Sequence, residues 1–299
     1  MRHPAASPRR APGLVQAERA NAPSDSLAGR VRAWGVWGPC RGPPRRSVSL
    51  LEVSGVAKHF GGLTALAGVD ITVEAGEIVG LIGPNGSGKT TLFHCIAGAL
   101  APDAGDIRLR GQSLVGVRPD GVCARGVGRT FQLVRVFPQL SAFDNVLAGQ
   151  SHRAESVVAA FASASTSAVK ARARALLQFM GLADHAATPA SELSYGQQRL
   201  LELATVLMGE PDLLLLDEPT AGVNPVLIAR LLARLREINE RGTTIVLIEH
   251  NMEAVMGLSS RMYALAMGRI IAEGTPETLR NDPAVLESYF GPPRATGRR

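Results

Sequence analysis

A glycine-rich segment of this chain has the residue types that bind the phosphates of a nucleotide. It reads GPNGSGKT from Gly83 to Thr90, with four residues between the first glycine and the Gly-Lys-Thr triplet. Glycines allow a tight turn whose backbone N–H groups point at phosphate oxygens. Lys89 can place its ammonium between the β- and γ-phosphates, and the Thr90 hydroxyl can bind Mg²⁺. The residues expected to contact the nucleotide are Gly83, Asn85, Gly86, Ser87, Gly88, Lys89, Thr90 and Thr91.

Two carboxylates follow a run of four leucines later in the chain. The run, Leu213–Leu216, is typical of a buried parallel strand, and Asp217 and Glu218 come directly after it. We expect Asp217 to hold Mg²⁺ through water and Glu218 to be the general base that polarises the attacking water. The alternative is a solvated acidic turn after a buried strand, which the phosphate-binding pattern disfavours.

A third apolar run, residues 244–248, leads to Glu249 and His250. A lone histidine is usually structural. One at the tip of a buried strand can instead reach a γ-phosphate, so His250 joins Glu218 as a catalytic candidate.

These side chains need a parallel sheet to bring them together. The apolar run Ile78–Ile82 leads into the glycine-rich segment, and residues 91–98 read as the helix that follows it. Ligands of such sheets bind at the carboxyl ends of the strands, so the candidates should share one edge. Two further strands, 50–53 and 69–73, are predicted ahead of the sheet, with a turn at Gly61-Gly62 between them.

The segment Leu193–Gln198 (LSYGQQ) resembles the signature loop of the ATP-binding cassette (ABC) ATPases, with Tyr195 where that family usually has glycine. The resemblance implies that Ser194, Gly196 and Gln197 contact the nucleotide held by a partner subunit. Each chain would then supply half of each of two sites.

Two more residues take their roles from this resemblance. Gln132, in Arg129-Thr130-Phe131-Gln132, resembles the Q-loop glutamine that joins the Mg²⁺ and water cluster to the helical subdomain. The resemblance implies that Gln132 is a catalytic residue, with Glu218 and His250, and a Mg²⁺ ligand, with Thr90 and Asp217. Phe60 stands where the family has an aromatic residue that stacks on adenine; a core phenylalanine is an equal alternative.

Asn224, in the loop after Glu218, stands where most of the family has aspartate. This variant, the one at Tyr195, and the C-terminal segment from Glu273 to Gly291 resemble the branched-chain amino acid uptake branch of the family. The fold implied is α/β: a P-loop NTPase core with a mostly parallel sheet, a small antiparallel N-terminal β subdomain and an inserted α-helical signature subdomain. The ATPase domain would span 48–291, with the helical subdomain at about 133–200 and a C-terminal family extension at about 270–291.

The resemblance also implies partners. They are ATP and Mg²⁺, a second ABC ATPase subunit (a copy or a sibling), two membrane permease subunits and, indirectly, an extracytoplasmic solute-binding protein. The chain would then lie at the cytoplasmic face of the inner (plasma) membrane as a peripheral subunit. Alternatives are an ABC ATPase that drives another cargo (urea, amides or lipid export) and a soluble ABC ATPase without a membrane partner.

Charge is concentrated at the ends of the 299 residues. The chain carries a formal +6, yet residues 1–47 hold nine arginines and two acids, whereas residues 48–291 hold 20 basic and 24 acidic residues. A mildly acidic body argues against a nucleic-acid partner. Residues 1–47 read as a disordered Arg/Pro-rich leader that need not be native, with Val48 as a candidate start, and 292–299 as a tail.

Overall fold

A computed structural model describes residues 49–150 and 166–290, with only the backbone at Phe290. The predicted leader (1–47), Val48 and the tail (292–299) lie outside the described residues, as does the stretch 151–165 of the predicted helical subdomain.

A four-stranded antiparallel sheet begins the described chain. Its strands are β1 (Ser49–Phe60), β2 (Leu63–Glu74), β4 (Ala104–Leu109) and β5 (Gln112–Ser113), in the order β2-β1-β4-β5. The β1–β2 hairpin turns at Gly61-Gly62 as predicted, but both strands are longer than predicted. Antiparallel pairing from Phe60↔Leu63 to Ser49↔Glu74, with several register shifts along the way, extends them.

The second sheet has the order β10-β9-β3-β8-β7-β6 among the described residues. Its strands are β3 (Ile78–Ile82), β6 (Val127–Arg129), β7 (Leu213–Asp217), β8 (Thr244–Ile248), β9 (Arg261–Ala266) and β10 (Arg269–Gly274). All neighbours run parallel except β9 and β10. Every residue of β3, β7 and β8 is buried, as expected for strands covered on both faces.

Nine helices accompany the sheets in the described residues. They are α1 (Lys89–Ile96), α2 (Pro119–Ala124), α3 (Ala142–Ala148), α4 (Ser167–Met180), α5 (Tyr195–Met208), α6 (Pro225–Glu240), α7 (Met252–Leu258), α8 (Pro276–Arg280) and α9 (Pro283–Phe290). Helices α3, α4 and α5 pack on one another and form the inserted helical part. None of these helices combines the length and the apolar character that a membrane crossing requires.

The hydrophobic core joins both sheets to α1. Leu51 and Val53 of β1, Phe93 of α1, and Leu215 of β7 belong to one cluster of buried side chains. Burial of apolar area stabilises the fold by about 25 cal/mol per Å², so this cluster supports the edge that carries the phosphate-binding loop. The α/β fold with a mostly parallel sheet and an antiparallel β subdomain is confirmed.

Candidate active site

The glycine-rich segment forms a loop (residues 83–88, the phosphate loop) between the end of β3 and the start of α1. Gly83 has φ +150°, and a Cβ there would lie 2.0 Å from the Leu265 carbonyl oxygen. Gly88 has φ +108°, and its Cβ would lie 2.5 Å from the Ala65 carbonyl oxygen. Larger residues would therefore clash with backbone at both positions, and the loop lies directly against β2 and β9.

The start of α1 is built to face an anion. Its N-cap, Gly88, has no side chain to accept from the first N–H groups of the helix, so these donors are left for a ligand. Asn85, Gly86 and Thr90 are exposed at this end and Thr91 is half-buried, whereas Ser87 is buried. The loop residues predicted to bind a nucleotide thus surround one helix N-terminus.

Lys89 lies buried across the loop. Its Nζ donates to the carbonyl oxygens of Gly83 at 2.8 Å and Pro84 at 2.9 Å. Burial lowers the pKa of Lys89, and the carboxylates of Glu218 and Asp217 oppose that shift. The structure therefore brings the predicted lysine and both predicted carboxylates to one place.

Asp217 ends β7 as a buried side chain. Its Oδ2 accepts from Arg129 Nη2 at 3.4 Å, while its Oδ1 is buried without a hydrogen-bond partner. Burial raises the pKa of Asp217, and Arg129 counteracts this. No cluster of three or more His, Cys, Asp or Glu side chains within 49–150 and 166–290 could cage a metal. One carboxylate with an orphaned oxygen fits Mg²⁺, which usually binds through one or two carboxylates, substrate phosphates and water.

Glu218 has two side-chain partners. Its Oε1 lies 2.9 Å from His250 Nε2, and its Oε2 accepts from Gln132 Nε2 at 3.3 Å. Glu218 also has φ +50°, which is rare for a residue with a side chain and is found at functional sites. The three residues predicted to be catalytic therefore meet at one carboxylate.

Glu249, which the sequence did not single out, fastens the neighbouring loop. It is buried, and its Oε1 accepts from the Thr220 backbone N–H at 2.8 Å. The loop after Glu218 is thus bonded to the residue that precedes His250. Adjacency to His250 was the available sequence signal.

The signature segment leads into α5 and forms its first turn, which begins at Tyr195. Ser194 is the N-cap: its Oγ accepts from the Gln197 N–H, and Gln197 Oε1 accepts from the Ser194 N–H at 2.9 Å. Gly196 is buried, and a Cβ there would lie 2.3 Å from Leu227 Cδ1.

The two variant residues have structural roles. Tyr195 lies beside Gly222 of the loop after Glu218, where a Cβ would be 3.1 Å from Tyr195 Cε1, and its hydroxyl accepts from Arg199 Nη2 at 3.1 Å. Asn224 is the N-cap of α6, accepting from the Leu227 N–H at 3.0 Å. An amide serves this cap as well as a carboxylate does.

A buried ion pair on α5 holds the loop that carries Gln132 (residues 130–135, the Gln132 loop). Arg199 Nη1 donates to the Phe131 carbonyl oxygen at 2.6 Å, and Arg199 Nη2 donates to that of Gln132. Glu202 Oε1 accepts from the N–H groups of Phe131 at 3.3 Å and Arg135 at 3.2 Å. Arg199 and Glu202 pair at 3.3 Å, so α5 grips the loop by its backbone.

Phe60 is 45% exposed at the β1–β2 turn, so it is not a core residue. Lys58 Nζ lies 5.7 Å from its ring centroid. Adenine stacking by Phe60 stays a prediction.

Comparison with known families agrees with this geometry. Residues 66–221 match the model of the ABC transporter family, and residues 269–291, near the C-terminus of this chain, match that of the branched-chain amino acid ATP-binding cassette transporter.

Individual relatives cover most of the chain. It is 42% identical to the high-affinity branched-chain amino acid transport ATP-binding protein LivG of Escherichia coli K12, over 82% of this chain and 99% of that protein. It is 40% identical to the high-affinity branched-chain amino acid transport ATP-binding protein BraF of Pseudomonas aeruginosa, over 81% of this chain and 98% of that protein. Two crystal structures of an ABC transporter cassette, one nucleotide-free and one in an ADP conformation, superpose with TM-scores of 0.74 and 0.73 at 31% identity. Both alignments cover 82% of this chain and all of the other.

Proposed function

This chain belongs to the ABC transporter ATPases, and from that membership we propose that it powers the uptake of branched-chain amino acids by hydrolysing ATP. The observation that carries the proposal is the meeting of His250 and Gln132 on Glu218, beside a phosphate loop. A C-terminal region of the branched-chain type, residues 269–291, supports the cargo.

The residues divide the chemistry among them. The phosphate loop and Lys89 bind the β- and γ-phosphates, with the N-terminus of α1 adding partial positive charge. Mg²⁺, held by Thr90, Gln132 and Asp217, would neutralise charge that develops on the phosphates. Glu218 accepts the proton of the attacking water, and His250 orients Glu218 and donates toward the γ-phosphate.

Dimerisation completes each site. The signature residues of one subunit, Ser194, Gly196 and Gln197, would contact the nucleotide bound by the other subunit. Phe60 of the subunit that binds the nucleotide would stack on the adenine. A side chain at position 196 would displace Leu227, because its Cβ would lie 2.3 Å from Leu227 Cδ1.

A membrane subunit would dock beside the Gln132 loop. Leu133, Phe137 and Leu140 are 78%, 57% and 41% exposed there. Three large apolar side chains so close in sequence are unusual on a free surface. Docking at this surface would make the chain a peripheral subunit at the cytoplasmic face of the membrane. Its partners there would be two permease subunits, which would in turn receive the solute from an extracytoplasmic binding protein. We retain 48–291 as the ATPase domain, about 133–200 as its helical subdomain and about 270–291 as its extension.

Uptake by the native organism tests the cargo. Deleting the gene should abolish uptake of radiolabelled leucine, and the wild-type chain, but not the Glu218→Gln variant, should restore it. Labelled urea is the comparison substrate. Unchanged leucine uptake together with lost urea uptake would refute the branched-chain assignment and favour the alternative cargo.

A further inference from the structure

The last described helix reaches back to the phosphate loop. The backbone N–H of Gly83 donates to Tyr289 Oη at 2.7 Å, although the two residues are 206 positions apart. Tyr289 lies on α9, within the C-terminal region. A hydroxyl from the far end of the chain therefore satisfies the first donor of the loop.

Both the N–H and the carbonyl oxygen of Gly83 form hydrogen bonds with side chains. Tyr289 accepts from its N–H, and Lys89 Nζ donates to its carbonyl oxygen at 2.8 Å. The Leu265 carbonyl oxygen occupies the space that a Cβ at this position would need. The orientation of Gly83 thus determines where the Lys89 ammonium rests, and Tyr289 helps to set that orientation.

Helix α9 is anchored well enough to position a hydroxyl. Val285 is 3% exposed, and Asp282 Oδ1 accepts from the N–H groups of Ala284 at 2.8 Å and Val285 at 3.2 Å. Burial raises the pKa of the Tyr289 phenol, so it remains neutral at physiological pH.

Packing alone does not hold the Tyr289 ring in place. The ring borders a groove of about 680 Å³ that also touches Met252 and Met256 of α7 and Leu286 of α9. Helix α9 brings the hydroxyl to the loop, and the hydrogen bond then holds Tyr289 and Gly83 to each other.

We propose that Tyr289 is a positioning residue for nucleotide binding, which couples the C-terminal region to the phosphate loop through Gly83. The proposal rests on the proposed function in assuming that ATP binds at this loop. The phenol touches no phosphate; it acts on affinity by fixing the loop in its binding conformation before ATP arrives. Loss of the bond should therefore weaken ATP binding and leave the chemical step at saturating ATP intact.

The test compares Tyr289→Phe with Tyr263→Phe in the full chain. Tyr263 is a suitable control because its hydroxyl also bonds backbone, at Thr72 of β2, and accepts from Arg261, rather than bonding Gly83 of the phosphate loop. Calorimetric titration with ATP and Mg²⁺ gives Kd, steady-state hydrolysis gives KM and kcat, and thermal unfolding gives Tm. We expect Tyr289→Phe to raise Kd and KM by roughly 2- to 10-fold, the range of one net hydrogen bond, with kcat unchanged. Tyr263→Phe should leave Kd unchanged whatever it does to Tm.

Each contrary outcome has its own meaning. A wild-type Kd in Tyr289→Phe overturns the proposal, as does a lower Tm with unchanged Kd, which would mark a purely structural hydroxyl. Equal Kd increases in both variants would also overturn it, because the effect would then be general. If the wild-type chain itself bound no ATP, the proposed function would fail before the Tyr289 comparison was made.

Discussion

Replacing Arg199 with methionine should release the Gln132 loop from α5. Arg199 is 4% exposed and donates to two carbonyl oxygens of that loop, to Tyr195 Oη and to Glu202. Methionine fills a similar volume but has no donor. The variant removes the side-chain donor from the carbonyl oxygens of Phe131 and Gln132 and leaves the buried Glu202 carboxylate without its cation.

The cost is that of breaking a buried ion pair from one side, about 3–5 kcal/mol. Each kcal/mol lowers the Tm of a domain of this size by roughly 2–4 °C. The Tm should therefore fall by about 6–20 °C at neutral pH.

A pH series separates the orphaned charge from simple loss of packing. Burial already raises the pKa of Glu202, and removal of Arg199 raises it further. A carboxyl whose folded pKa exceeds its unfolded value binds more protons in the folded state. The free energy of unfolding then rises as pH falls through the folded pKa toward the unfolded one. The Tm deficit of Arg199→Met should accordingly shrink in mildly acidic buffer.

The assay is thermal unfolding followed by circular dichroism, with Arg118→Met as the control. Arg118 pairs with Asp120 at 3.2 Å, but the two side chains are 86% and 73% exposed. Such a pair contributes nothing measurable, so the control should unfold with the wild type. If Arg199→Met also unfolded with the wild type, the conclusion that this ion pair secures the Gln132 loop would be wrong.

Three more predictions concern catalysis, acid stability and thiol reactivity. Glu218→Gln should abolish turnover yet bind ATP, and gel filtration should show an ATP-dependent dimer; hydrolysis at the wild-type rate would exclude Glu218 as the base. Hydrogen bonds from Lys58 and the His59 backbone lower the pKa of Asp103 to about 2. The contribution of the Asp103 carboxylate to the free energy of unfolding is therefore complete above about pH 4 and is lost as the pH falls toward 2. Asp103→Asn should therefore lose its Tm deficit over that range, and a deficit independent of pH would contradict this. Burial raises the pKa of the Cys95 thiol to about 11, so iodoacetamide at pH 8 should label exposed Cys123 well before Cys95, as peptide mass spectrometry would show; equal rates would contradict it.

The sequence was enough to predict which candidate site residues lie at the ends of the parallel strands. Asp217, Glu218 and His250 each follow an all-apolar run, and parallel strands deliver such residues to one edge. The fold class followed from the same runs and from the resemblance they carried. Local pattern and topology together were enough for this part of the site.

The contacts that hold the site together were not predictable in this way. Arg199 and Glu202 look like ordinary helix-surface charges, because their burial depends on a loop more than sixty residues earlier in the chain. Tyr289 and Glu249 are likewise defined by long-range backbone partners. No periodicity or spacing encodes a bond from a side chain to a distant peptide group.

Helix α5 holds the Gln132 loop through hydrogen bonds to the loop's backbone, and this has a consequence for how the loop can evolve. Arg199 and Glu202 bond the carbonyl and N–H groups of residues 131, 132 and 135, which every amino acid other than proline provides. The exposed side chain of Leu133 can therefore mutate without loosening the hold. If a permease subunit docks on this surface as proposed, substitutions there could adapt the chain to a different permease while the backbone hydrogen bonds that hold the Gln132 loop stay the same.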